Sequence, residues 1–123
     1  MQMPFDWKEY LRLAQFLERL SNQNFSQEAA LRSAVSRAYY AAFCHCRNFA
    51  RDKQGFHPAY NAEDHQNLPL QLKFSGMYKE ARTLDRLRKW RNECDYEDEI
   101  SSLRLSHILT QSLARAHNLL KNI

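Results

Sequence analysis

The chain has 123 residues, which is enough to bury one hydrophobic core and too few for two. Hydrophobic residues make up 44% and charged residues 26%, and the presence of only 2 glycines argues against a sheet-rich fold or a glycine-rich phosphate-binding loop. The net charge of +4 is compatible with RNA or an acidic partner without requiring either.

Features that bear on cellular location predict a soluble, cytoplasmic protein. No apolar run approaches the roughly 20 residues that cross a bilayer. The segment Met1 to Asp6 lacks the basic and apolar regions of a secretory signal. The 3 cysteines are an odd number, which fits a reducing compartment better than a disulfide framework.

Two helices are predicted in the N-terminal half. The first begins at Asp6 with the capping box Asp6-Trp7-Lys8-Glu9 and ends near Leu20, with an apolar stripe at Leu13, Phe16, Leu17 and Leu20. The second follows the cap residue Ser26 and ends near Asp52. Its apolar residues recur every three or four positions and include many alanines, which let neighbouring helices approach closely. We therefore place the second helix at the centre of the fold.

The C-terminal half predicts a loop, a short helix and two long helices. The loop covers residues 53–62, and the short helix includes Leu70 and Leu72. The third long helix runs from about Met77 to Asn92, and the fourth from about Asp98 to Leu120. These elements predict an all-α fold, an antiparallel up-down bundle of four main helices plus a short fifth. We expect residues 1–123 to form a single domain.

The charged residue Arg91 continues an apolar stripe in the third long helix. It follows Leu84 by seven residues and Leu87 by four, and these spacings put all three on the inward face. A guanidinium keeps its charge, so near a core it needs paired acceptors or a wet cleft. Either Arg91 caps the end of its helix and pairs with Asp95, or it binds a phosphate in a cleft. The spacing alone leaves both readings open.

Three parts of the sequence occur together in a known combination. They are the segments Ser36-Arg37-Ala38-Tyr39-Tyr40-Ala41-Ala42-Phe43 and Leu87-Arg88-Lys89-Trp90-Arg91-Asn92-Glu93-Cys94-Asp95-Tyr96, with His65 ahead of the short helix. Together they resemble the HEPN superfamily, small prokaryotic helical domains found in many toxin–antitoxin and phage-defence systems. The likeness is to the subgroup with an Ala-Tyr-Tyr-Ala helix and an Arg-x-x-x-Asp-Tyr-like motif, and it extends from about Gln27 to Ile123.

The resemblance implies a metal-independent endoribonuclease that works as a homodimer, with an Arg-x(4–6)-His motif from each protomer meeting at the interface cleft. In that chemistry the arginine holds the scissile phosphate and the histidine acts as general acid or base. Arg91 matches the arginine, whereas Tyr96 stands where a histidine is expected. A phenol with a pKa near ~10 is a weak base at neutral pH, so His65 is the candidate to replace the missing histidine. The implied catalytic residues are Arg91, Tyr96 and Asp95, and the implied RNA- or phosphate-binding residues are Tyr40, Arg37, His65, Arg88 and Asn92.

The resemblance also implies a setting and a partner. The protein would act on or bind RNA as part of a toxin–antitoxin or defence module, restrained by a separate partner such as a minimal nucleotidyltransferase. Some such partners modify a tyrosine near the motif, and Tyr96 is a possible target by analogy. Two alternatives stay open: a non-catalytic adaptor or antitoxin-like module, in which Arg91, Asp95 and Tyr96 lock the third and fourth long helices together, and a nucleotide-binding domain that uses the same arginine.

Several other chemistry-bearing residues predict structural roles. Cys44 and Cys46 are two positions apart on a helix and therefore point to different faces, so we expect no metal, and no cofactor is expected either. Trp90 is predicted to pack at an interface. The basic residues of the second helix are predicted to form a solvated face, which would become an RNA track only beside Arg91: Arg32, Arg37, Arg47 and Arg51.

Overall fold

All regular structure in the described part of the chain is helical. A computed structural model describes residues 3–123, in which there is no strand. Met1 and Gln2, which belong to the predicted domain and to the segment that lacks the features of a secretory signal, lie outside the described residues. The helices are α1 (Lys8–Arg19), α2 (Gln27–Lys53), α3 (Asp64–Phe74), α4 (Tyr78–Tyr96) and α5 (Ser102–Asn122). The predicted all-α class with five helices is confirmed, although α1, at 12 residues, is hardly longer than the 11-residue α3. In residues 3–123 no helix has both the length and the apolar character needed to span a bilayer.

The helix α2 lies at the centre of the fold. It contacts each of the other four helices, as its alanine content predicts. Ala34, Ala38 and Ala42 are fully buried, at 0% exposure. Because these side chains are small, the backbones of neighbouring helices can pack close to that of α2. This close packing brings residues of α3 and α4 next to the tyrosines of α2.

Side-chain caps fix where two of the long helices begin. The hydroxyl of Ser26 accepts a hydrogen bond from the Ala29 amide at 3.1 Å and starts α2 as predicted. The hydroxyl of Ser101 does the same for Arg104 at 3.1 Å, so α5 begins at Ser102 rather than near Asp98. A serine hydroxyl satisfies one of the amides that a helix N-terminus leaves unpaired.

The predicted capping box of α1 forms only in part. The Asp6 carboxylate accepts a hydrogen bond from the Lys8 amide at 3.0 Å. Glu9 does not reach back toward the first turn, because its carboxylate pairs with Arg12. The regular helix therefore begins at Lys8, two residues later than predicted.

The inward face of α1 differs from the predicted stripe. Leu11 and Ala14 are buried, whereas Leu13 is 41% and Phe16 is 60% exposed. The small Ala14 side chain lets α1 approach α2 on this side. The apolar period of α1 fits two adjacent faces, and close packing decides between them.

The helix α4 continues one turn past the predicted end at Asn92. The Glu97 amide donates to the Glu93 carbonyl at 3.0 Å, and Glu97 itself adopts an extended conformation that ends the helix. The Arg32 guanidinium of α2 donates to the carbonyls of Cys94 at 3.1 Å and Glu97 at 2.6 Å. This contact satisfies carbonyls that the helix end leaves free. The extra turn carries Asp95 and Tyr96 on the same helix as Arg91.

Removal of the Ser26 hydroxyl tests the cap of α2. The variant Ser26→Ala should lower the free energy of unfolding by ~1 kcal/mol, because the Ala29 amide loses its acceptor. The matched variant Ser33→Ala changes an exposed residue in the middle of α2 and should have little effect or stabilise slightly. Urea denaturation of both variants measures the difference. Equal effects would contradict the capping role.

Candidate functional site

The guanidinium of Arg91 is enclosed by tyrosine rings. Arg91 is 8% exposed. Its central carbon lies 5.5 Å from the ring centre of Tyr39, 5.3 Å from that of Tyr40 and 5.9 Å from that of Tyr96. These distances allow cation–π attraction, which is strengthened when water is excluded. The inward position predicted from the stripe of α4 is therefore correct.

One carboxylate pairs with Arg91. The Nη1 atom of Arg91 lies 3.5 Å from Oδ2 of Asp95, which is one helical turn further on. The same oxygen accepts a hydrogen bond from the Ser36 hydroxyl of α2 at 3.3 Å. Asp95 therefore connects α4 to α2, not α4 to α5 as the adaptor hypothesis expects. The Nε atom of Arg91 is buried and has no hydrogen-bond partner among residues 3–123.

The structure brings His65 into contact with the same tyrosines. The Tyr39 hydroxyl and Nδ1 of His65 are hydrogen-bonded at 2.5 Å. The imidazole stacks on Phe43, with ring centres 4.3 Å apart, and meets Tyr40 edge-on. His65 is half-buried and lies in the first turn of α3, so its predicted position ahead of the short helix is wrong.

The titration of this pair is shifted by its surroundings. Burial raises the pKa of Tyr39, so the phenol stays protonated and can donate its hydrogen to His65. Burial also lowers the pKa of His65, and the positive charges of Arg88 and Arg91 lower it further. His65 is therefore favoured as neutral imidazole near neutral pH. With Nδ1 bonded to Tyr39, its Nε2 atom is the one left for exchange with a ligand.

Five of the eight predicted site residues meet with Tyr39, which was not among them, in one group that we call the arginine–tyrosine cluster: Tyr39, Tyr40, His65, Arg88, Arg91 and Asp95. Arg37 adjoins it, with its guanidinium 5.1 Å from the ring centre of Tyr40. Tyr96 is 73% exposed and sits at the outer edge of the cluster. Asn92 is not part of it. It lines a separate depression of about 600 Å³ together with Tyr96 and several charged residues.

A cleft adjoins the arginine–tyrosine cluster. Its volume is about 510 Å³, and it is lined in part by Arg37, Tyr40 and His65. The cleft is also lined by Trp7, Tyr10 and Tyr60, which were not predicted as site residues, and by Arg47, which was predicted to lie on the solvated face of α2. For the residues of α2, the spacing of Arg37, Tyr40, Cys44 and Arg47 on one helical face was an available signal. The cleft combines guanidinium donors with aromatic faces, a combination that suits phosphates and bases.

The predicted solvated face of α2 is wrong for three of its four arginines. Arg32 binds the end of α4, Arg37 lies 4.7 Å from the ring centre of Tyr10, and Arg47 lies 5.5 Å from that of Trp7. Only Arg51 is exposed and paired at the surface, with Asp52. A basic residue of α2 was expected to contribute to an RNA track only if it lies beside Arg91. Arg37 meets this condition, because its guanidinium and that of Arg91 both lie near the Tyr40 ring.

The cysteines and Trp90 are packing residues. Cys44 and Cys46 are buried, and burial raises the pKa of both thiols, which keeps them in their unreactive protonated form. Among residues 3–123 no three His, Cys, Asp or Glu side chains are grouped so that they could hold a metal ion. Trp90 is 8% exposed and lies between Arg86 and Arg115 of this same chain, so it packs within the fold.

The lowered pKa of His65 predicts a pH-dependent stability. Burial also lowers the pKa of His45, so the unfolded chain binds protons at both positions more readily than the folded chain. The free energy of unfolding should therefore fall as the pH drops below ~6.5, the pKa of a histidine in the unfolded chain. The variant His65→Gln should show a shallower decline between about pH 7 and 5, because one of the two groups is gone. Urea denaturation across this range measures the slope.

The control for this experiment is His107→Gln, which alters an exposed histidine of α5. It should keep the slope of the unaltered protein. The lowered pKa values of Asp52 and Glu93 also reduce stability toward the acid end of this range, but they do so equally in both variants and therefore cancel in the comparison. Identical slopes for His65→Gln and His107→Gln would contradict the prediction.

The comparisons with known proteins identify no relative. The chain matches no protein-family model, no curated protein and no solved structure. We therefore infer a function from the residues of the arginine–tyrosine cluster and of the adjoining cleft.

Proposed function

We propose that the protein is a HEPN-like component of a prokaryotic toxin–antitoxin or defence module that binds RNA at the arginine–tyrosine cluster. In this proposal the helices form an antiparallel up-down bundle, and two protomers associate so that their clusters face a shared cleft. The observation that carries the proposal is the burial of Arg91 among tyrosine rings with only one carboxylate beside it.

The charge of the cluster favours an anionic ligand. Arg88 and Arg91, with the adjoining Arg37, bring three positive charges to the tyrosines, and Asp95 and the adjoining Asp64 bring two negative charges. The Nε atoms of Arg88 and Arg91 are both buried without a hydrogen-bond partner in residues 3–123. Unpaired buried donors are costly, and a phosphate oxygen that reaches the cluster would offset this cost.

Cleavage would require a proton-transfer group near the phosphate. In the proposed reaction Arg91 holds the scissile phosphate. Neutral His65, in the tautomer whose Nδ1–H donates to the Tyr39 oxygen, accepts the proton of the attacking 2′-hydroxyl at Nε2 and then gives it to the leaving 5′-oxygen. Tyr39 connects the two residues, because it is hydrogen-bonded to His65 and its ring faces Arg91. An imidazole suits neutral pH better than the phenol of Tyr96. Tyr96, at the exposed edge, would then contact the RNA.

The exposed position of Tyr96 also suits a protein partner. It is 73% exposed, and the next three residues are Glu97, Asp98 and Glu99. A partner such as a minimal nucleotidyltransferase, which the resemblance implies, could reach this hydroxyl without opening the fold. Occupation of this edge would cover the open side of the cluster and restrain its action on RNA.

A second candidate is a non-catalytic adaptor. The observation that favours it is the contact of Asp95 with both Arg91 and Ser36, which joins α4 to α2 within one chain. In this case Arg91 serves the fold, and the surface of the protein serves a partner.

Incubation with labelled single-stranded RNA and tRNA in EDTA separates these functions. The unaltered protein should cleave RNA, and Arg91→Lys should reduce the rate by about 100-fold or more, because an ammonium cannot give two parallel hydrogen bonds to a phosphate. The matched variant Arg86→Lys changes another arginine of α4 that lies over an aromatic ring, 5.7 Å from the centre of Trp90, and should keep full activity. Circular dichroism verifies that both variants are folded.

The other outcomes have defined meanings. Binding of RNA that Arg91→Lys weakens, without cleavage, would retain RNA binding and remove the nuclease reaction. Neither binding nor cleavage by the folded, unaltered protein would contradict the proposal and favour the adaptor. Cleavage that persists in Arg91→Lys would assign the activity to other residues.

A further inference from the structure

The floor of the cleft is one face of α2 with an arginine at each end. Arg37, Tyr40, Cys44 and Arg47 follow one another at spacings of three and four residues, and all four line the cleft. Ten residues of helix separate the two arginines, which corresponds to ~15 Å along the axis. Residues from two other parts of the chain complete the lining: Trp7 and Tyr10 at the start of α1, and Tyr60, Asn61, Asp64 and His65 before and in the first turn of α3.

The two arginines of this face have no carboxylate partner. On the same helix, Arg32 pairs with Glu28 and Arg51 pairs with Asp52. No ion pair within residues 3–123 involves Arg37 or Arg47. The side chain of Arg47 makes one neutral hydrogen bond, from Nε to Asn48 at 3.1 Å.

Each of these arginines lies against two aromatic rings. Arg37 is 4.7 Å from the ring centre of Tyr10 and 5.1 Å from that of Tyr40. Arg47 is 5.5 Å from the ring centre of Trp7 and 5.1 Å from that of Tyr60. Contact with ring faces holds a guanidinium in place and leaves N–H groups for a phosphate. In Arg47 these are the groups other than Nε, and in Arg37 those other than Nη2, which donates to the Ser36 hydroxyl at 3.5 Å.

The carboxylate of the cleft wall, Asp64, is already committed to the backbone. It is 2% exposed and accepts hydrogen bonds from the amides of Ala59 at 2.9 Å and Tyr60 at 2.8 Å. These bonds hold Tyr60 at a φ of 57°, a left-handed conformation that few side chains adopt unaided. Asp64 is therefore a positioning residue that sets Tyr60 over Arg47. Its oxygens are turned to these amides and not to the two guanidiniums.

We propose that this cleft binds a short run of single-stranded RNA that continues from the arginine–tyrosine cluster. Phosphates of the run bind Arg37 and Arg47, and a base between them packs against Tyr40 and His65. This inference rests on the proposed function, and it extends the site from one phosphate to a stretch of several nucleotides. An open groove with a cation at each end suits a ligand that continues beyond it.

Fluorescence anisotropy with labelled oligouridylates of one, three and six nucleotides tests the inference. Affinity should rise from one to three nucleotides, as a second phosphate contact is added. Arg47→Gln should weaken binding of the six-nucleotide RNA several-fold and lower the slope of log K against log salt by about 0.7, the value for one phosphate contact to a single strand. Arg12→Gln, which removes an equal charge outside the cleft, should leave the slope unchanged.

A second variant separates stacking from charge. Tyr60→Leu removes an exposed aromatic ring from the wall and keeps a bulky side chain. It should weaken binding about fivefold or more and leave the salt slope as it was, because no charge is lost. Should Arg47→Gln unfold, Arg47→Lys keeps the charge and should retain the slope while affinity falls.

The controls distinguish this inference from the proposed function. Unchanged binding by Arg47→Gln and Tyr60→Leu, with weakened binding by Arg91→Lys, would overturn the extended cleft and leave the RNA site at Arg91. A mononucleotide that binds as tightly as six nucleotides would overturn it too, in favour of a single-nucleotide site. Absence of RNA binding by the unaltered, folded protein would overturn both proposals.

Discussion

A guanidinium cannot be neutralised by loss of a proton, so the burial of Arg91 constrains every helix around it. In α4 it requires Asp95 one turn further on, which the extra turn of the helix supplies. In α2 it requires the rings of Tyr39 and Tyr40 and the hydroxyl of Ser36, which also bonds to Asp95. These contacts need α2 and α4 to lie close together, and the buried alanines of α2 allow that distance.

The site holds its cations with aromatic faces more than with carboxylates. A carboxylate would occupy the N–H edge of an arginine and neutralise its charge, whereas a ring supports the flat face and leaves the edge free. Arg37 and Arg47 follow this arrangement, and Arg91 follows it in part, since one carboxylate reaches Nη1. The cluster and the cleft are continuous through Tyr40, because the guanidiniums of Arg91 and Arg37 both lie near its ring. Because of this continuity, Arg37 and Arg47, which are separated along α2, belong to the same site as Arg91.

The sequence predicted what depends on local spacing and failed where distant parts of the chain meet. The alanine period located α2 at the centre, and the break at Arg91 located the cluster. The start of α5 was ambiguous in the sequence, because Asp98 and Ser101 are both suitable N-cap residues. The contact of Arg32 with the end of α4, which lies far away in the sequence, decides between them. The role of Tyr60 could not be predicted, since its ring meets Arg47 of α2 only in the folded chain.

The cleft is lined by residues of two helices, α1 and α3, that do not pack against each other in the described part of the chain. Within residues 3–123, α3 packs against α2 and α4 and does not contact α1. The cleft is nevertheless lined by Tyr10 of α1 as well as by His65 of α3. A ligand seated there would bridge two helices that the protein itself leaves unconnected. Ligand binding should therefore slow the hydrogen exchange of the backbone amides of α3, because this helix could open only after the ligand has been released.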